Sequence, residues 1–110
     1  MIYEMRRYEA LPGKIGQLHE LMETLALPVF KKLGMKLIAC WTPAVGDDEG
    51  TLIYILGYED MGVRERAWKA LYAHPDWITT RPQLAAKFGG PVVGKIHSVF
   101  LEPTAYSPMQ

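Results

Sequence analysis

The spacing of apolar residues along the chain switches between the two-residue period of strands and the three-to-four-residue period of helices. Met1 to Glu9 alternates and reads as a first strand, broken by Leu11-Pro12-Gly13. Ile15, Leu18, Met22 and Leu25 then recur at spacings of three and four, one stripe of a helix running to about Phe30 or Lys32. Pro28 should bend or divide that helix near its end, because proline has no N–H to give the preceding turn, and Gly34 is placed to stop it. Lys36 to Thr42 is a second strand. Gly46-Asp47-Asp48-Glu49-Gly50 has the composition of an exposed hairpin loop, and Thr51 to Tyr58 is a third strand. Asp60 suits the N-cap of a helix from about Val63 to Ala73, and His74-Pro75-Asp76 interrupts it. Asp76 or Thr79 helps start a short helix reaching Phe88, which Gly89-Gly90-Pro91 ends. Val92 to Leu101 is the last strand, and a loose or partner-wrapping tail follows Pro103.

This order is β-α-β-β-α-β with the second helical region split. It predicts an α+β, ferredoxin-like subunit, in which four antiparallel strands carry both helical regions on one face. The domain spans residues 1–103, with 104–110 as its tail. Strand three is apolar on both sides: Leu52, Tyr54, Leu56 and Tyr58 project one way, Ile53 and Ile55 the other. One layer of helices covers only one of those sides. A homodimer packed sheet to sheet, as a dimeric α/β barrel, would cover the other.

Charge and composition narrow the function classes. With 110 residues the chain makes one domain. Twelve basic and twelve acidic residues cancel, which gives no electrostatic reason to bind nucleic acid or anionic lipid. No apolar run approaches the length of a membrane span, so no membrane insertion is expected. Cys40 is the sole cysteine, so there is no internal disulfide, and an apolar strand around it predicts a buried, inert thiol. A reducing compartment and the absence of a leader at the N-terminus fit a cytoplasmic location. Nothing in the sequence calls for a cofactor.

The candidate chemistry sits in the first strand. Glu4, Arg6 and Tyr8 share one face beside Ile2. Glu4 and Arg6 lie about 6.6 Å apart along the backbone, close enough for their side chains to meet. Arg6 could hold a small organic ligand by an anionic oxygen, with Glu4 orienting it or acting as a base if burial raises its pKa. Tyr8 could donate a hydrogen bond. The competing reading is a structural ion pair. Trp41, Tyr54 and Tyr58 are candidates to line the same cavity, against plain core packing. His97, mid-strand, is a candidate acid or base, and His74 either caps a helix or rims the pocket. Trp68 and Trp77 read as packing anchors. His19 and Glu23 lack the second histidine of a helical zinc site, so no metal is expected.

The opening Met1-Ile2-Tyr3-Glu4-Met5-Arg6-Arg7-Tyr8 with Leu11-Pro12-Gly13-Lys14 is similar to the start of NIPSNAP-domain proteins. Cys40-Trp41-Thr42 followed by Gly46, and His74-Pro75-Asp76-Trp77, resemble later segments of the same family. The resemblance implies a subunit of the dimeric α/β-barrel superfamily, whose members include cofactor-independent monooxygenases and small isomerases. The NIPSNAP family itself has no settled common activity. Two functions therefore stand as expectations. One is a cofactor-independent small-molecule enzyme of isomerase or monooxygenase type, with its pocket on the open sheet face. In it Glu4, Arg6 and His97 do the chemistry, and Tyr8, Trp41, Tyr54, Tyr58 and His74 hold the ligand. The other is a non-catalytic homodimeric binding or protein-interaction module.

Overall fold

The structure is a computed structural model that describes residues 1–46 and 50–110. The expected acidic loop falls largely on residues 47–49, outside that range. The strands are β1 (Ile2–Ala10), β2 (Lys36–Trp41), β3 (Thr51–Tyr58) and β4 (Val93–Leu101). They form one sheet in the order β2-β3-β1-β4 with every neighbouring pair antiparallel. Together with the helices this is the ferredoxin-like α+β arrangement. The two central strands, β1 and β3, pair through Glu4↔Leu56 and Arg6↔Tyr54, which fixes which side chains share a face.

The first helical region comes in three pieces: α1 (Ile15–Leu21), a π-helical stretch (Met22–Ala26) and α2 (Leu27–Lys32). The irregularity lies directly before Pro28. That residue offers no N–H to the carbonyl of Thr24, four positions back, and its ring crowds that carbonyl, so the wider π geometry relieves a clash an α-helix would suffer. The stripe still works: Leu18, Met22, Leu25, Val29 and Phe30 are all buried against the sheet.

The second region is α3 (Met61–Ala73) and α4 (Pro75–Phe88). The Asp60 side chain caps α3 by accepting from the Val63 N–H at 2.8 Å. His74 ends α3 and caps α4, its Nδ1 accepting from the Asp76 N–H at 3.1 Å. It thus takes the capping job expected of Asp76 or Thr79. The helix it starts is longer than expected and tolerates Pro82 inside it. Gly89 closes it with φ of 78°, in the left-handed region only glycine enters freely.

All helices lie on one side of the sheet. Between sheet and helices lie Ile2, Glu4, Arg6 and Tyr8 of β1, the alternate residues Leu52, Tyr54, Leu56 and Tyr58 of β3, and Trp68, Leu71, Leu84 and Phe88 from the helices. The other face carries Met5, Arg7, Ile53, Ile55, His97 and Val99, and among the described residues no helix lies over it. The tail does not hang loose. It returns to this open face, where the Tyr3 hydroxyl donates to the Gln110 carbonyl at 2.8 Å and Met109 borders a shallow hollow with Tyr3, Ile55 and Leu101. Cys40 is exposed on the edge strand β2, which corrects the expectation of a buried thiol. An edge strand has a neighbour on one side only. No helix among the described residues is long and apolar enough to cross a membrane.

Candidate functional site

Glu4 is wholly buried, and Arg6 is 7% exposed. Strand parity puts both on the helix-covered face, so the polar set lies between sheet and helices, not on the open face where the sequence reading placed the pocket. Glu4 is the hub. One of its oxygens, Oε2, accepts from Arg6 Nη1 at 3.0 Å, Arg64 Nη2 at 3.1 Å and Ser98 Oγ at 2.6 Å. The other, Oε1, accepts from the Tyr58 hydroxyl at 2.9 Å and Arg64 Nε at 3.2 Å. Arg64 therefore grips the carboxylate with two parallel N–H bonds, the geometry in which arginine binds carboxylates most strongly.

Arg6 is held as tightly. Its Nε donates to the Tyr54 hydroxyl at 2.9 Å, its Nη2 donates to the Tyr8 hydroxyl at 3.1 Å, and those two hydroxyls are 2.7 Å apart. Trp68 covers the guanidinium, its ring centroid 4.3 Å from Cζ. The same indole donates its N–H to the Tyr58 hydroxyl at 2.8 Å. A line of donors thus runs from Trp68 through Tyr58 into Glu4.

These contacts set the ionisation of the cluster. Burial works to protonate Glu4, but the bonds from Arg64, Ser98 and Tyr58 and the charge of Arg6 outweigh it, and its pKa is lowered. Burial likewise disfavours the charge on Arg6, yet the surrounding Tyr54 and Tyr8 oxygens and the Glu4 carboxylate hold it more firmly protonated than usual. Desolvation pushes Tyr54 and Tyr58 well above their ordinary value, so both remain neutral phenols. Glu4 is a saturated acceptor and a poor base. The cluster offers fixed charge and hydrogen bonds, and these residues do not exchange protons near neutral pH.

Glu4, Arg6, Tyr8, Tyr54 and Tyr58 therefore come together as one constellation. Three expected members do not join it. Trp41 pairs with Ile53 on the open face and is 50% exposed. An irregularity between Leu37 and Ala39 shifts the alternation of β2, so Cys40, not Trp41, lies opposite Tyr54. His97 pairs with Arg7 and also faces the open side, where its Nε2 meets a Glu9 carboxylate oxygen. The bond from His97 is the chief reason the Glu9 pKa is lowered. Neither His97 nor Trp41 can reach Arg6 through the sheet. His74 sits at the helix junction as a cap, away from the cluster.

Arg64, Ser98 and Trp68 were missed as site residues. Arg64 lies four residues before Trp68 on α3, so both share a helix face, and that spacing was a readable signal. Ser98 had none: its place beside Glu4 follows from the Arg6↔Ser98 register of β1 with β4. Among the described residues no three His, Cys, Asp or Glu side chains converge as metal ligands would.

An antiparallel β2-β3-β1-β4 sheet with one helical layer, clamping a charged cluster between the two, defines a ferredoxin-like α+β subunit. The NIPSNAP family profile matches residues 3–108, and the chain belongs to that family. Among solved structures it is similar to an uncharacterized NIPSNAP domain protein from Burkholderia xenovorans, with 26% identity, a TM-score of 0.80 and coverage of 98% of this chain and 99% of that one. It is also similar to a NIPSNAP family protein from Agrobacterium tumefaciens, with 21% identity, a TM-score of 0.84 and coverage of 99% and 98%. An antibiotic biosynthesis monooxygenase shares the fold more distantly, with 14% identity, a TM-score of 0.55 and coverage of 94% and 99%. No curated protein matches the sequence.

Proposed function

We propose that this NIPSNAP protein binds a small organic molecule by an anionic oxygen at the rim of the Glu4 cluster. The observation that carries this reading is the charge balance. Two guanidinium groups, Arg6 and Arg64, are bonded to a single carboxylate, which leaves one positive charge in a site largely removed from water. A guanidinium has five N–H groups. The bonds Arg64 makes to Glu4 use its Nε and Nη2, so Nη1 is directed elsewhere, and the side chain keeps 26% of its surface in solvent. A carboxylate, enolate or phenolate oxygen would neutralise the excess.

If the bound molecule reacts, the cluster stabilises the negative oxygen by fixed donors, the contribution expected of an oxyanion site in isomerisation or in oxygenation of an easily oxidised aromatic. Glu4 positions the two arginines, and any proton movement falls to the ligand or solvent. Binding is tested with a panel of small carboxylates and phenolates by titration calorimetry. Arg64→Met removes the excess charge while keeping an apolar stem over Phe100, whose ring centroid lies 5.5 Å from Arg64 Cζ. It should weaken binding by about ten- to a hundredfold, the value of a hydrogen bond to a charged group. Unchanged affinity in a folded Arg64→Met protein would defeat the reading.

The alternative, a non-catalytic interaction module, is favoured by one fact: every oxygen of Glu4 is already satisfied from within the chain. Both readings use a homodimer built on the open face. Trp41, Val99 and Leu101 are exposed there, and Ile53 and Ile55 are only half-buried in the single chain. Monomers rarely leave so many large apolar side chains together in water. A charge at the centre of that face, Ile53→Lys, should raise the dimer dissociation constant at least about a hundredfold, since a buried unpaired charge costs several kcal/mol. Analytical ultracentrifugation reads this directly, and a wild-type protein that sediments as a monomer at all concentrations rejects the dimer.

A further inference from the structure

The helical layer does not reach the far edge of the sheet. On β4 the residues facing the helices are Ile96, Ser98 and Phe100, paired with Tyr8, Arg6 and Glu4 respectively. Ile96 is 50% exposed and Phe100 39%. Between β4 and α4 runs a cleft of about 730 Å³ walled by Leu21, Leu84, Phe88, Val92 and Ile96. That volume falls in the range of small-molecule sites. Its charged lining residues are Arg81 and Lys95, both cations.

Two helix irregularities border it. Leu21 is the last residue before the π-helical stretch, and Pro82 interrupts the hydrogen bonding of α4. Such irregularities recur at functional sites. The wall of the cleft and the charged cluster share one face of β4. Ile96 forms that wall, and Ser98, two residues on along the same strand face and about 6.6 Å away, donates to Glu4. Beyond Ser98, Arg64 lies over Phe100.

We infer that the ligand is an amphiphilic organic anion, its carboxylate at the Arg64 guanidinium and its apolar body in the cleft between α4 and β4. This rests on the reading of the Glu4 cluster as an anion site and adds the class of molecule. The cleft walls supply apolar contact, its cations exclude a positively charged body, and the strand connects the two halves.

The test compares butanoate, hexanoate, octanoate and decanoate, below their micelle concentrations, by calorimetry on the wild type, Ala85→Trp and Arg64→Met. Ala85 lines the cleft from an exposed helical position, so tryptophan there fills the cleft without entering the core. In the wild type, affinity should rise about fourfold per added methylene, the transfer value of a buried CH₂. Ala85→Trp should flatten that gradient while leaving butanoate binding intact, and Arg64→Met should weaken every member alike. A wild type that binds all four equally, with Arg64→Met still weakening them, overturns the cleft and leaves the anion site standing. A gradient that persists in Ala85→Trp overturns the cleft as well. A gradient that Ala85→Trp removes, with all four affinities unchanged in Arg64→Met, shows the head group bound elsewhere and overturns the anion site and the bridged binding mode with it.

Discussion

Glu4→Gln is expected to destabilise the fold by about 3–5 kcal/mol, the usual cost of removing one partner from a buried ion pair. The substitution keeps the shape and deletes the charge. Arg6, 9% exposed along its side chain, then faces Arg64 with no carboxylate between them. The amide also replaces one accepting oxygen with an N–H that points at donors. Urea denaturation followed by far-UV circular dichroism measures the loss. Replacing the pair together, Glu4→Leu with Arg6→Met, should recover much of it, because desolvated charges are then absent from both partners. A Glu4→Gln protein as stable as the wild type would mean that the cluster is far wetter than its burial indicates.

The same residue sets a pH dependence. The Glu4 pKa is lowered from its ordinary 4.5, so the stabilisation it gives is complete above that pH. It is lost as pH falls through the lower value of the folded state, where the folded protein must take up the proton. Acid titration of stability should therefore show a decline below about pH 4.5 that is shallower in Glu4→Gln, where only the remaining carboxylates such as Glu9 and Asp76 contribute.

Trp68→Ala is the second large effect, expected at about 3–5 kcal/mol for truncation of a buried tryptophan. Trp68 does three things at once. It stacks on Arg6, donates to Tyr58, and packs edge-on to Phe30 with ring centroids 5.9 Å apart. Trp68→Phe separates these: it keeps most of the packing and loses the N–H, and should cost about 1 kcal/mol, the net worth of one hydrogen bond. Thermal and chemical denaturation of the two variants give the ratio. Equal losses would show that the hydrogen bond to Tyr58, not the packing, is what Trp68 supplies.

Alternation and punctuation made much of this readable in advance. The period of β1 put Glu4, Arg6 and Tyr8 on one face whatever the fold, because strand side chains alternate strictly where no bulge intervenes. Tyr54 and Tyr58 share a face of β3 for the same reason. Asp60 as a cap, Pro28 as a disturbance and Gly89 as a stop follow from local backbone chemistry that needs no tertiary context. Where the alternation was broken, inference failed: Trp41 was assigned to the cavity, and the shift in β2 turned it to the other side.

The sequence by itself determined the order of elements, the polar face of β1 and the family. It left open which side of the sheet the helices cover, since β3 is apolar on both sides and either would accept them. Tertiary packing decided that, and with it the burial of Glu4. Strand register decided the rest, bringing Ser98 beside Glu4 and sending His97 through to Glu9 on the opposite face. A one-residue step along a strand reverses the direction of a side chain, and only the pairing of β1 with β4 says which of the two neighbours meets the cluster.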